Sequence, residues 1–205
     1  MEDKDNCPEF LKIAPGIVSW SVYSEECKTH LFSHAHVFQQ QLVLIDPVIP
    51  KNQSVWRKIS PLGTPNLIIL TNGNHERDSQ RFAEEFSLPI ASSAEAAREL
   101  SRKPDIILDG QVQLQGLKPI PSPGGGPGEL ALFSPSAHLL ILGDAVINLP
   151  STGLQLLPEK YRTESKKMIL SLATLLNLPF ETVLMAHGLP LIHQSKAQLR
   201  KLLSQ

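Results

Sequence analysis

The chain has 205 residues, 41% of them hydrophobic and 19% charged, and its formal net charge is −1. Those values fit one soluble globular domain spanning residues 1–205, and they exclude a broad electrostatic attraction to nucleic acid or to an anionic membrane. No apolar run approaches the ~20 residues of a membrane span, the polar start MEDKDNCPEF lacks the build of a secretory signal, and the two scattered cysteines Cys7 and Cys27 make no disulfide framework, so a reducing, cytoplasmic setting is expected.

In chain order, Ile17 to Tyr23 and Leu31 to Phe38 are rich in β-branched and aromatic residues and predict two strands. Gln39 to Gln41 make a hairpin turn, and Leu42 to Asp46 is an apolar run of the kind that forms a buried strand. A short helix is expected over Asn52 to Ser60, and a buried strand over Asn66 to Thr71. That strand runs into the polar segment Asn72-Gly-Asn-His-Glu-Arg-Asp78. Ser79 to Phe86 reads as a helix and Leu88 to Ala91 as a strand, with Ser92 or Ser93 capping a helix from Ala94 to Leu100. Ile106 to Leu108 and Val112 to Leu117 predict strands around an Asp109-Gly110 turn. The Pro- and Gly-dominated stretch Pro121 to Gly128 is irregular. Strands Leu130 to Phe133 and Leu139 to Leu142 pair across Ser134 to His138. Lys160 to Leu176 is the longest helical pattern, Thr182 to Met185 a further strand, and Ser195 to Leu203 the last helix. Two similar halves, each a sheet covered by helices, account for this order: an α/β (α+β) four-layer αββα sandwich.

Four polar loops follow apolar strands: Thr71 to Asp78, Pro121 to Glu129, Gly143-Asp144 and Ala186 to Pro190. Sites in sheet-based domains gather where strands end. The order of these loops resembles the metallo-β-lactamase superfamily from about Ile17 to Leu203. Leu42-Val-Leu-Ile-Asp46-Pro resembles its early "vLIDp" strand. Ile68-Ile-Leu-Thr71 resembles the strand entering its His-x-His-x-Asp-His motif. Pro123-Gly-Gly-Gly-Pro-Gly-Glu-Leu130 is similar to its "PGHTPGS" segment, and Leu142-Gly-Asp144 and Ala186-His187-Gly188 to its "GD" and "HG" motifs. Within the family it resembles a branch of metal-dependent hydrolases with a TN-x-x-H-x-R, PGEL and GD pattern.

The resemblance implies one or two metal ions at these loops, because zinc prefers imidazole, thiolate and carboxylate donors. Laid on the family motifs, Asn72 and Asn74 take the first two His positions, Glu76 the Asp, Arg77 the next His and Gly125 the His of PGHTPG, while Asp144 and His187 match the bridging Asp and last His. Asn carbonyls are poor zinc ligands, Gly125 offers none and Arg77 is a permanent cation, so a dinuclear centre is not expected. Two arrangements stay open. In one, Arg77 replaces the metal charge beside Asp144, since a buried carboxylate needs a cation, and Asn72, Asn74 and His187 complete a polar network. In the other, His75, Asp144 and His187, with Glu76 as a fourth candidate ligand, hold one zinc or manganese ion.

Asp144, His187 and His75 are therefore the candidate catalytic residues, and Asn72, Asn74, Arg77 and Glu129 the candidate substrate contacts. His34 and His36 alternate on one strand face and are expected to pack or face solvent, while His30, His138 and His193 are expected at the surface. The corresponding functions are a metal-dependent hydrolase of a small ester, thioester or phosphoester, or a non-catalytic descendant, a small-molecule binder or interaction module, in which Arg77 replaces the metal charge beside Asp144. No G-x-S-x-G elbow points to a serine hydrolase, and no basic, aromatic-laced stretch points to nucleic-acid processing.

Overall fold

The computed structural model describes residues 7–109 and 114–205. Seven strands form one sheet in sequential order: β1 (Phe10–Ala14), β2 (Ile17–Ser24), β3 (Thr29–Phe38), β4 (Gln41–Ile45), β5 (Pro65–Ile69), β6 (Ile90–Ser92) and β7 (Ile106–Ile107). The first four are antiparallel neighbours and the last four parallel ones. The second sheet has the order β13-β10-β9-β8, from β8 (Lys118–Pro121), β9 (Leu130–Ser134), β10 (Leu139–Leu142) and β13 (Thr182–Met185), and β11 (Val146–Leu149) and β12 (Gly153–Leu156) make a separate hairpin.

Three apolar cores set the layers, because each face of a sheet must be covered. Val18, Trp20, Leu42, Leu44, Ile68 and Leu70 lie under helices α1 (Gln53–Ile59) and α2 (Ser79–Phe86), which contribute Val55, Ile59, Phe82 and Ala83. Val43, Ile45, Leu67 and Ile69 meet Leu130, Leu132, Leu139 and Ile141 between the sheets. Leu140, Leu142, Val183 and Met185 pack on Met168, Leu172 and Leu175 of α3 (Ser165–Leu175) and Leu199 and Leu202 of α4 (Ser195–Leu202). The expected αββα sandwich is thus observed.

Most expected elements are present, with physical reasons for the exceptions. Ala94 to Leu100 is only a 3-10 turn over Ala96–Arg98, started by the Ser93 hydroxyl accepting from the Ala96 amide. The helix expected from Lys160 begins at Ser165, after a separate turn at Glu159–Tyr161. Of the strand expected over Val112 to Leu117, residues 110–113 lie outside the described residues, and Leu114 to Leu117 form a tight turn with Gln115 and Gly116 at positive φ. Strands β1, β8, β11 and β12 have no period-2 apolar signal long enough to announce them, and β8 hides behind its prolines.

Parallel register places the polar loops. Leu142 pairs with Met185, so Asp144 and His187, each two residues further on, leave the sheet side by side. Ile45 pairs with Ile69, so Asp46 emerges beside the start of the Thr71 loop.

His34 and His36, both buried, face the space between the sheets, where Ser19 and Ser134 meet one ring nitrogen of each. His30 is also buried, against Ser21, and not at the surface as expected; His138 and His193 are exposed. Burial pulls His34 and His36 down to about 4, the nearby Arg77 and His75 charges adding to the effect at His34 against the pull of Asp46. Both are neutral in the fold at neutral pH and gain protons on unfolding below the ordinary histidine value. Each therefore adds stability that is complete above about pH 6.5 and is lost as pH falls toward 4. We expect the stability advantage of wild type over His36→Gln, measured by urea unfolding, to shrink over that window by up to about 1.4 kcal/mol per pH unit.

Candidate functional site

The site is built at the ends of β4, β5, β10 and β13. Asp46 turns the chain out of β4 in a left-handed conformation, φ 47°. Its carboxylate accepts from the Thr71 amide at 2.8 Å and from the Thr71 hydroxyl at 2.5 Å. After β5, Asn72 caps a short 3-10 turn over Gly73–His75, its side-chain oxygen accepting from the Asn74 amide at 2.9 Å. That turn swings the His75 ring inward. Its Nδ1 lies 2.9 Å from Asp46 Oδ2 and its Nε2 3.0 Å from Asp144 Oδ1. His187 Nε2 lies 3.3 Å from the same Asp144 oxygen, and its Nδ1 is 3.2 Å from the His30 carbonyl. Asn72 donates to the other Asp144 oxygen at 3.1 Å.

The charges explain one another. Burial pulls the His75 ring down, but the Asp144 and Asp46 carboxylates outweigh it and raise it to about 9, so His75 is an imidazolium bridging two acids. Burial would raise Asp144, yet His75 and His187 hold it well below the usual carboxylate range; Asp46 is held low against burial by His75, Arg77 and Thr71. Glu129 goes the other way, pushed up to about 8 by burial and then by Asp144.

Several sequence expectations are corrected here. Arg77 does not pair with Asp144: held at φ 44°, it donates to the carbonyls of Phe32 at 2.6 Å, Asp46 at 3.0 Å and Ala186 at 3.5 Å. It ties the residues just after β4 and β13 to Phe32 within β3, and His75 supplies the cation at Asp144. Glu76 points away from the cluster, accepting from the Ser101 amide and hydroxyl and from Gln80. Among the expected substrate contacts, Asn72 and Glu129 are buried with their polar atoms engaged, Arg77 is spent on carbonyls, and Asn74 is exposed. Asp46 is a member of the cluster that the sequence reading does not single out. Its signal is a carboxylate closing a wholly apolar strand, where burial demands a partner.

The family profile for the metallo-β-lactamase superfamily matches residues 11–205. The chain belongs to the metallo-β-lactamase superfamily. Solved members share its fold at low identity. A metallo-β-lactamase from Pontibacter korlensis is 18% identical with a TM-score of 0.75, covering 96% of this chain and 99% of its own. One from Erythrobacter litoralis is 10% identical, TM-score 0.75, covering 95% of each chain. A metallo-β-lactamase family protein from Thermus thermophilus is 16% identical, TM-score 0.69, covering 93% of this chain and 80% of its own. No curated protein sequence matches the chain significantly.

Members of this superfamily usually hold zinc, and the donor set tests the fit. His75, Asp144 and His187 each offer one donor atom, all within 4.8 Å of one another. In a tetrahedral site with bonds near 2.0 Å, donors stand about 3.3 Å apart. The two His–Asp edges, 3.0 and 3.3 Å, match. Both rings also have Nδ1 tied to an oxygen, the usual support for an imidazole that ligates through Nε2. The donor types suit one ion, with the His75–His187 edge within 4.8 Å; the other family ligand positions carry asparagine, glutamate, arginine and glycine.

We expect His75→Ala, in metal-free protein, to cost about 3–5 kcal/mol in chemical unfolding, because Asp46 and Asp144 are left without their shared cation. Glu76→Ala, at a half-buried carboxylate outside the cluster, is expected to cost less, about 1 kcal/mol.

Proposed function

We propose that the chain is a metal-dependent hydrolase with a single-ion centre at His75, Asp144 and His187, acting on a small ester, thioester or phosphoester. The observation that carries this reading is the convergence of two Nε2 atoms on one carboxylate oxygen, each ring oriented through its Nδ1. A divalent ion bound there would supply Lewis acidity to the scissile group. The protein's own residues do the rest. Asp46 fixes the His75 ring, the His30 carbonyl fixes His187, and Asn72 keeps the second Asp144 oxygen occupied so that the first faces the imidazoles. Asn74, exposed at the rim of the same turn, is the expected substrate contact.

A second reading has its own observation. His75, with the Arg77 charge near by, already offsets Asp46 and Asp144 without any ion, so the network is also a stable core for a non-catalytic descendant that binds a small molecule or serves as an interaction module. Metal analysis separates the two. Protein purified without chelator and reloaded with zinc or manganese is expected to hold about one equivalent, and His187→Ala, which removes a donor at the more open edge, to lose it. The loaded protein is expected to turn over at least one member of an ester, thioester and phosphoester panel. Less than a tenth of an equivalent in wild type, with no change in melting temperature on adding either ion, rejects the hydrolase reading.

A further inference from the structure

The glycines of the Pro121 to Gly128 loop are packed too closely for side chains. A Cβ on Gly126 would lie 2.6 Å from Asn72 Nδ2, and one on Gly125 only 2.0 Å from Glu129 Oε2 and 2.9 Å from its Cδ. The Glu129 carboxylate therefore fills the volume that a side chain at 125 would use. It is 2% exposed. Its Oε2 accepts from the Gly126 amide at 2.6 Å and its Oε1 from the Ala145 amide at 2.9 Å. Its backbone is anchored on both sides, the Glu129 carbonyl accepting from the Ser122 amide at 2.8 Å and the Leu130 amide donating to the Thr71 carbonyl at 2.7 Å. A Cβ on Gly143 would come 3.1 Å from Oε1, so the carboxylate also closes in on the residue before Asp144.

We infer that Glu129 is a positioning residue for Asp144 and the group whose side chain excludes one at position 125. The metal part of this inference rests on the hydrolase reading; the exclusion of a side chain at 125 does not. Two mechanisms are involved. The hydrogen bond to the Ala145 amide fixes the peptide that follows Asp144, and with it the direction in which the Asp144 carboxylate leaves β10. Such supporting contacts are worth roughly 10–100-fold in metal affinity. Shortening residue 129 removes the two closest contacts of a side chain at 125 and leaves the Ala145 amide nitrogen, at 3.2 Å, as the next nearest.

The test is a mutant cycle on the full chain, with melting temperature read without metal and zinc affinity by calorimetry. Gly125→Ala is expected to lower the melting temperature by roughly 5–10 °C, because its methyl group is driven into the carboxylate. In the Glu129→Ala background the same Gly125→Ala change is expected to cost little or to raise the melting temperature, since the methyl group enters vacated space. Glu129→Ala is expected to weaken zinc binding about ten-fold or more, and Glu129→Gln, which keeps the volume and one acceptor, to recover part of that loss. An additive cycle, or zinc affinity in Glu129→Ala within about two-fold of wild type, overturns the inference. If wild type takes up no zinc, the hydrolase reading falls, and the melting cycle alone decides whether Glu129 excludes a side chain at 125.

Discussion

Asp144 is a charge removed from water at the end of a strand that is apolar throughout, and the site is arranged to make that tolerable. A buried carboxylate without a partner costs several kcal/mol. Here it receives the His75 and His187 rings on one oxygen and the Asn72 amide on the other. Asp46, a second buried acid, stands behind His75 and shares its charge. Satisfying these two acids dictates the conformation of the Thr71 loop. The loop needs Asn72 as a cap to tighten the turn, His75 at its inner side, and Arg77 in a left-handed conformation to reach the carbonyls of Phe32 in β3 and Asp46 after β4.

The same network can be read in two charge states. Without an ion, the imidazolium of His75 and the nearby Arg77 charge offset the two acids. In the proposed ion-bound state, His75 would have to give up the proton on Nε2, because only a neutral imidazole has a lone pair to offer. Proton and metal would then compete for one place, and metal affinity would depend on pH. Arg77 stays a fixed cation in both states, near enough for its charge to be felt at Asp46 and Asp144 yet hydrogen-bonded to carbonyls. Its role is to tie the ends of β4 and β13 to β3 around the site.

The fold is legible because burial leaves a trace in composition. Leu42 to Ile45, Ile68 to Leu70 and Leu139 to Leu142 are apolar on both faces, and only a sandwiched sheet makes use of that. The short strands β1, β11 and β12 leave no such trace. At the site, Asp144, His187 and His75 can be singled out, since each is a polar residue where an apolar strand or its loop demands an explanation. Their partners cannot. A sequence does not show that the Arg77 guanidinium passes Asp144 and ends on carbonyls, that Glu76 turns outward to Ser101, or that the Glu129 carboxylate lies where a residue 125 side chain would be. Those outcomes depend on loop torsions such as the positive φ of Asp46 and Arg77, which single residue types of this kind do not announce.

His75 stands between two carboxylates as a cation and, in the proposed hydrolase, would yield its Nε2 to a metal; nitrogen NMR of histidine-labelled protein reads both states directly. At pH 7 without metal, His75 is expected to carry protons on both ring nitrogens while His34 and His36 are neutral. Adding zinc should remove the Nε2 proton of His75, keep the Nδ1 proton shared with Asp46, and shift His187 with it. A neutral His75 in the metal-free protein, or zinc that leaves both rings unchanged, would contradict this picture of the site.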